Sequence, residues 1–112
     1  VLIVVCAEMH RSGGKPGPAA ASGEFAYITD KGDWFMFDTA LAVQNMCLAA
    51  HGLGLGTVVI GLVDAKAAEK ALNVPEGTRV VTVVPVGVPA QEGKAPLRKE
   101  LTELVVRDKF PG

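Results

Sequence analysis

This sequence of 112 residues has almost no excess of charge of either sign, and it has few aromatic, histidine and cysteine residues. It has 11 basic against 12 acidic residues, a net charge of −1, 5% aromatic residues, two histidines and two cysteines. Without a surplus of positive charge, the protein lacks the long-range attraction that binds nucleic acid or an anionic membrane surface. We therefore expect neither nucleic acid nor a membrane among its partners.

Side chains suited to catalysis are also few. Cys6 and Cys47 lie far apart among apolar neighbours, which favours two small core residues over a metal site or a redox pair. Neither His10 nor His51 has a serine, cysteine or aspartate at a spacing that suggests a catalytic triad. A simpler interpretation than a catalytic role is that His51 lies at a helix C-terminus, where the helix dipole stabilises it. The sequence thus predicts no catalytic side chain and no metal ligand, and enzymatic chemistry would have to come from a cofactor.

Apolar residues, in contrast, are abundant. They make up 49% of the chain, and the mean hydropathy of +0.32 is high for a small domain, which predicts apolar surface for a partner. Residues 1–7 have the composition of a strand that is buried on both faces at the centre of a sheet, and no polar residues lead into them, so we expect further chain before them. This run has no charged segment before it and is too short to cross a bilayer, so we expect a cytoplasmic protein.

The length predicts one domain over residues 1–112. Residues 8–33 are rich in glycine, proline, serine and alanine, which predicts a long flexible loop within it. Asp33 is placed to cap a helix over residues 34–51 that Gly52 ends. This helix is apolar on all sides, which predicts burial.

The second half of the sequence predicts an α+β arrangement. Residues 52–61 form a glycine-rich turn into a short strand, Asp64 caps a surface helix over 65–72, residues 79–88 form a second buried strand, and a weakly helical tail follows. A dinucleotide site needs its glycines between a strand and a helix, and here they follow a helix instead. The glycines therefore form a tight turn or bring bare backbone close to a flat ligand.

Several motifs occur in an order that closely resembles the C-terminal half of the FMN-dependent nitroreductase family. The resemblance covers nearly the whole chain and is most specific in the combination of a helix motif with a glycine turn. The motifs are the strand of residues 1–7, Asp38 followed by Gln44-Asn45-Met46-Cys47-Leu48-Ala49-Ala50, Gly54-Leu55-Gly56-Thr57 with Ile60-Gly61, Leu72-Asn73-Val74-Pro75, Val84-Pro85-Val86-Gly87-Val88-Pro89, and Arg98-Lys99-Glu100-Leu101.

This resemblance implies a homodimeric α+β fold with FMN at the subunit interface. FMN would accept hydride from NAD(P)H and pass it to a nitro, quinone or similar acceptor. The matching positions place backbone groups of Val59, Ile60, Gly61 and Leu62 near the reactive nitrogen of the flavin. Arg98 would hold the FMN phosphate, to which a forked guanidinium is suited. The long apolar helix would be the central helix of the dimer.

Three parts of the family pattern are absent: an arginine-rich phosphate segment, a stretch with serine and asparagine beneath the flavin, and a glutamate or tryptophan-like residue by the turn, where Val58, Val59 and Gly61 stand. The resemblance therefore implies an incomplete nitroreductase-like fold, completed by a missing N-terminal half of the same protein or by a partner chain. The alternative function is a degenerate, non-catalytic flavin-fold module that serves in assembly or small-ligand binding. For Arg98, a solvated basic patch with Lys94 and Lys99 is an equally good interpretation of the residues alone.

Overall fold

The computed structural model of the chain describes residues 1–16 and 25–110, and it combines helices and sheet as predicted. In chain order the elements are β1 (Leu2–Glu8), β2 (Gly14–Pro16), β3 (Phe25–Tyr27), α1 (Phe35–Gly52), β4 (Gly56–Thr57), α2 (Ala65–Ala71), β5 (Thr78–Gly87) and α3 (Leu101–Leu104).

Strand β5 is the middle strand of a three-stranded antiparallel sheet. Strand β1 pairs with one of its sides, with Leu2 opposite Pro85 and an irregularity between Val5 and Cys6, and β4 pairs with the other. The buried residues of β5 alternate along the strand, as expected for a strand with one face against a core. The buried residues of the described chain are Thr39, Val43 and Ala50 on α1 and Val80, Thr82 and Val84 on β5.

Strand β1 lies at the edge of this sheet, so the prediction that it lies at the centre is wrong for this chain. No other strand of the described residues pairs with its second side. Leu2 is 63% exposed and Cys6 is also exposed, which corrects the expectation that Cys6 is a core residue. The composition of residues 1–7 suits a buried strand, but the described chain supplies too little structure to cover it.

The segment of residues 8–33 contains two short strands, β2 and β3, where the sequence predicted a loop. They pair antiparallel, with Gly14 opposite Tyr27. Neither Gly13 nor Gly14 has room for a Cβ, because the Trp34 ring packs against the first and the Phe25 ring against the second. Composition alone does not show such ring-on-glycine packing, which explains the error. Residues 17–24 of the predicted loop lie outside the described residues, and the flexibility of the segment stays a prediction.

Helix α1 begins at Phe35, with Trp34 rather than Asp33 as its N-cap residue. Asp33 nevertheless stabilises the first turn, because its Oδ1 accepts a hydrogen bond from the Phe35 N–H at 3.2 Å. Asp33 Oδ2 accepts from the His10 N–H at 2.6 Å, and His10 has a φ of 60°. The start of α1 is thereby tied to the chain that follows β1.

Gly54, not Gly52, ends helix α1. Gly52 is still helical, whereas Gly54 has a φ of +75°. The Gly54 N–H donates to the His51 carbonyl and the Leu55 N–H donates to the Ala50 carbonyl, each at 2.9 Å. These two bonds form a Schellman motif, in which the residue with positive φ is normally glycine.

Most of the apolar surface of α1 faces outward, which corrects the prediction that the helix is buried within this chain. Its large exposed residues are Met36, Phe37, Leu41 and Leu48, each more than half exposed. The physical reason is that α1 packs on the narrow sheet along one strip only. No helix in the described parts of the chain combines the length and hydropathy that crossing a membrane requires.

Helix α2 follows the prediction closely and is tied to β5. The Asp64 carboxylate accepts a hydrogen bond from the Ala67 N–H at 3.0 Å, as expected of an N-cap residue. Glu69 accepts from the Val80 N–H at 3.0 Å and lies 3.8 Å from the Arg79 Nε. The polar face of α2 therefore also fixes the beginning of β5.

The chain exposes far more surface than a compact monomer. Its accessible area is 9362 Å², whereas a folded monomer of 11.6 kDa exposes about 5,800 Å². Its radius of gyration is 18.4 Å, against about 13 Å for a compact domain of this length. The extents of 53 × 49 × 23 Å describe a flat body with apolar residues on its surface.

The two glycines at the end of α1 give a matched pair of variants. We predict that Gly54→Ala destabilises the protein by about 1 kcal/mol, because alanine is strained at positive φ. Gly52→Ala should instead stabilise it by about 0.5–1 kcal/mol, because Gly52 is helical and a Cβ there meets no atom within 4 Å. Urea unfolding followed by circular dichroism measures both, and effects of the same sign would contradict this account of the helix end.

Candidate functional site

A cleft of about 360 Å³ opens between helix α1, the segment of residues 58–63 and strand β5. This volume lies within the range of small-molecule sites, which is about 300–1,000 Å³. Two of the residues that the sequence analysis placed at a flavin, Val59 and Gly61, line it, whereas Ile60, Leu62 and Arg98 do not. The full lining is Met36, Thr39, Ala40, Val43, Gln44, Val59, Gly61, Val81 and Thr82.

Ile60 anchors the segment to the sheet. Its N–H donates to the Val83 carbonyl at 2.9 Å, and its carbonyl accepts from the Val83 N–H at 3.2 Å. The Thr82 hydroxyl, on a side chain that is almost fully buried, donates to the same carbonyl at 2.9 Å. The peptide groups of Ile60 are therefore used within the chain, and a ligand would meet its neighbours instead.

The backbone of Gly61 and Leu62 is the accessible part of this segment. The Gly61 carbonyl accepts from the Val63 N–H at 3.0 Å, and neither the Gly61 nor the Leu62 N–H donates to a backbone carbonyl of the described residues. A Cβ at Gly61 would meet no atom within 4 Å, and its φ lies outside the left-handed region. The space beside Gly61 is therefore open, and no turn geometry of this chain requires glycine there.

Polar side chains at the cleft come from α1 and, at Thr82, from β5. Thr39 is buried against the sheet, whereas Gln44 is exposed and can both donate and accept hydrogen bonds at the cleft. The sequence analysis did not assign a site role to either residue. The available signal was the presence of isolated polar residues on a helix that is otherwise apolar all round.

Arg98 lies in the exposed segment between β5 and α3, as do Lys94 and Lys99. It forms no ion pair with another residue in the described parts of the chain. The structure brings Val59 and Gly61 together at the cleft but does not bring Arg98 to them, and its role at a phosphate stays a prediction.

Comparison with known proteins identifies the family. The model of the nitroreductase family matches residues 1–88. The chain belongs to the nitroreductase family. A protein of Methanothermobacter thermautotrophicus with the provisional name NADH dehydrogenase/NAD(P)H nitroreductase is 36% identical to this nitroreductase-family chain in an alignment of 58 residues. The alignment covers 48% of the chain and 30% of that relative.

Solved structures of nitroreductases share the fold of this chain. A nitroreductase family protein from Clostridium difficile superposes with a TM-score of 0.76 at 18% identity and matches 97% of the chain. The NADPH:FMN oxidoreductase of Vibrio harveyi, solved with NAD⁺, matches 68% of the chain at 28% identity with a TM-score of 0.63. The chain spans only 59% and 34% of these two proteins, so it holds part of a nitroreductase fold.

The bond from Thr82 to Ile60 allows a direct test of how the segment is held. Thr82→Val keeps the side-chain volume but removes the hydroxyl, so we predict a loss of about 1 kcal/mol in the free energy of unfolding. Hydrogen exchange should also quicken at the Ile60 amide. Thr102→Val, on the exposed helix α3, serves as the control and should change stability by less than about 0.5 kcal/mol. Equal effects of the two variants would show that the Thr82 hydroxyl does not hold the segment.

Proposed function

We propose that this chain is part of an FMN-dependent oxidoreductase that transfers hydride from NAD(P)H through FMN to a nitro, quinone or similar acceptor. Membership of the nitroreductase family supports this function. The likeness to the NADPH:FMN oxidoreductase of Vibrio harveyi also supports it, because the name of that protein includes both NADPH and FMN. The absence of an assigned catalytic side chain is compatible with chemistry that a cofactor carries.

The proposal depends on one observation: the backbone N–H groups of Gly61 and Leu62, which donate to no backbone carbonyl of the described residues, lie beside an apolar cleft. FMN, when bound, supplies the centre that accepts and donates hydride. The N–H groups of Gly61 and Leu62 would face its ring edge, and such backbone donors suit the heteroatoms of a flavin. Ile60 would hold these donors in place through its bonds to Val83.

The walls of the cleft fit a planar ring. Ala40, Val43 and Val59 offer small apolar surfaces that exclude water from a bound ring, and Gln44 offers an amide to its polar edge. Arg98 would bind the phosphate from the exposed segment beyond β5. These are the residues of this chain that we propose to hold FMN.

A second polypeptide surface is part of the same proposal. The accessible area exceeds that of a compact monomer by about 3,500 Å², which is the scale of an obligate interface. We infer that a second copy of the chain, or the rest of a longer protein, covers α1 and completes the flavin site.

Gly61→Val tests whether the backbone contact exists. We predict that it abolishes the absorbance spectrum of bound flavin in the assembly that binds FMN, because a branched side chain would enter the space of the ring. Circular dichroism and unfolding should be unchanged, since the site is open and has no left-handed φ. Lys66→Val, on the exposed face of α2, is the control. Full affinity for FMN in folded Gly61→Val would remove this segment from the site, whereas the absence of a bound-flavin spectrum in the unmodified assembly would favour the non-catalytic module.

Arg98→Ala tests the phosphate contact separately. Loss of a charged hydrogen bond should weaken FMN binding by about tenfold and leave riboflavin binding unchanged, because riboflavin has no phosphate. Arg107→Ala, an exposed arginine of the same tail, is the matched control. Equal losses for FMN and riboflavin would assign Arg98 to folding, and no loss for either would leave it in a solvated patch.

A further inference from the structure

Strand β5 has one residue more than strand β1 along the stretch where the two strands pair. Val5 lies opposite Thr82 and Cys6 lies opposite Val80, so Val81 has no partner on β1. This arrangement is a β-bulge, an extra residue that bends its strand. Bulges are frequent next to active sites, where they redirect a side chain.

The bulge brings two successive residues of β5 to the cleft. In a regular strand neighbouring side chains point to opposite faces, so only one of Val81 and Thr82 would be expected at the same cavity. Both line the cleft that contains Gly61. The extra residue therefore supplies part of the wall that faces the proposed flavin.

The Glu69 carboxylate of α2 lies beside the bulge. Its Oε1 accepts a hydrogen bond from the N–H of the buried Val80 at 3.0 Å. The Arg79 Nε is 3.8 Å from the same oxygen, but the Arg79 side chain is 55% exposed, and exposed ion pairs contribute little. The acceptor for the Val80 N–H is therefore the main structural contribution of Glu69.

Glu69 also closes the segment that carries the free backbone donors. This segment leaves β5 at Ile60, which is bridged to the strand, and continues through Gly61 and Leu62 into α2. It is tied to the same strand again where Glu69 accepts from Val80. The two donors therefore lie between two attachments to β5, one made by the backbone and one by a side chain.

We propose that Glu69 is a positioning residue of the flavin site. Its hydrogen bond to the Val80 N–H holds the bulge, so that Val81 faces the flavin ring and residues 61–62 keep their donors at the ring edge. Glu69 does not line the cleft and acts through the backbone. The effect on flavin binding rests on the proposed function, whereas the hold on the bulge does not.

Three substitutions of Glu69 separate the reach of the side chain from its charge. Glu69→Gln keeps an acceptor oxygen at the same reach and should leave FMN affinity within about twofold of that of the unmodified assembly. Glu69→Asp keeps the charge on a shorter side chain, and Glu69→Leu removes the acceptor. Each of these two should weaken FMN binding by about five- to tenfold, the scale of a typical net hydrogen bond. Glu76→Leu, at an exposed position in the turn before β5, is the matched control and should not weaken it.

The methyl NMR signals of valine supply a readout that a merely structural role of Glu69 would not move. FMN should shift the Val81 methyl signals of the unmodified assembly through the ring current of the flavin. Glu69→Leu should reduce this shift even when the site is saturated with FMN, because Val81 would no longer be held against the ring. The methyl signals of Val84, which is fully buried, serve as the internal control.

Unchanged FMN affinity in folded Glu69→Leu would overturn the proposal. A larger loss in Glu69→Gln than in Glu69→Asp would also overturn it, because that order is expected of an ion pair with Arg79. If Glu69→Leu does not fold, the order of the other two variants decides alone.

Hydrogen exchange without FMN separates failure of this proposal from failure of the proposed function. Relative to the Val84 amide, the Val80 amide should exchange faster in Glu69→Asp than in Glu69→Gln. This result without FMN binding by the unmodified assembly would support the hold on the bulge and contradict the flavin function. Equal exchange in the two variants would overturn the role of Glu69.

Discussion

The packing of helix α1 on its own sheet is the constraint on which the rest of this structure depends. The helix has 18 residues, of which Thr39, Val43 and Ala50 are buried. Most of the stability of a helix in a protein comes from an apolar face that packs rather than from helix propensity. The large apolar residues that remain on the surface are the reason for proposing that another polypeptide surface covers the helix. The cleft lies along the same helix, so whatever covers α1 also decides how far the site closes.

Strand β5 supplies the rigid part of the candidate site. It pairs with β1 and β4, bridges to Ile60, and donates a hydrogen bond from the Val80 N–H to Glu69 of α2. Because of this attachment, the residues of segment 60–62 have different roles. Ile60 is fixed by the sheet, whereas Gly61 and Leu62 project beyond it with N–H groups that face no backbone acceptor of the described chain. A site whose donors are held by a sheet in this way is better ordered than one on a free loop.

Local patterns of the sequence predicted the elements well. Asp64 caps α2 as expected, the long helix and the final strand lie within a few residues of their predicted bounds, and the tail contains the short helix α3. One error is a local detail at the end of α1, and another occurs where tertiary contacts decide. Gly54 replaces Gly52 as the helix terminator because two hydrogen bonds beyond the helix select the left-handed residue. Strands β2 and β3 depend on rings that pack on Gly13 and Gly14, and no local pattern shows such contacts.

The candidate site was predictable only in part for the same reason. The family resemblance led to residues 59–62, but it did not separate Ile60, which the sheet uses, from Gly61, which lies open. That distinction depends on the register between Ile60 and Val83, a contact across more than twenty residues.

The most direct measurement is the sedimentation of the full chain at micromolar concentration, together with the fluorescence of a dye that binds exposed apolar surface. The account predicts a species heavier than the 11.6 kDa monomer, or a monomer that binds the dye strongly, because α1 must be either covered or exposed. A compact 11.6 kDa monomer without dye binding would contradict it, since this chain would then bury its apolar surface without a partner.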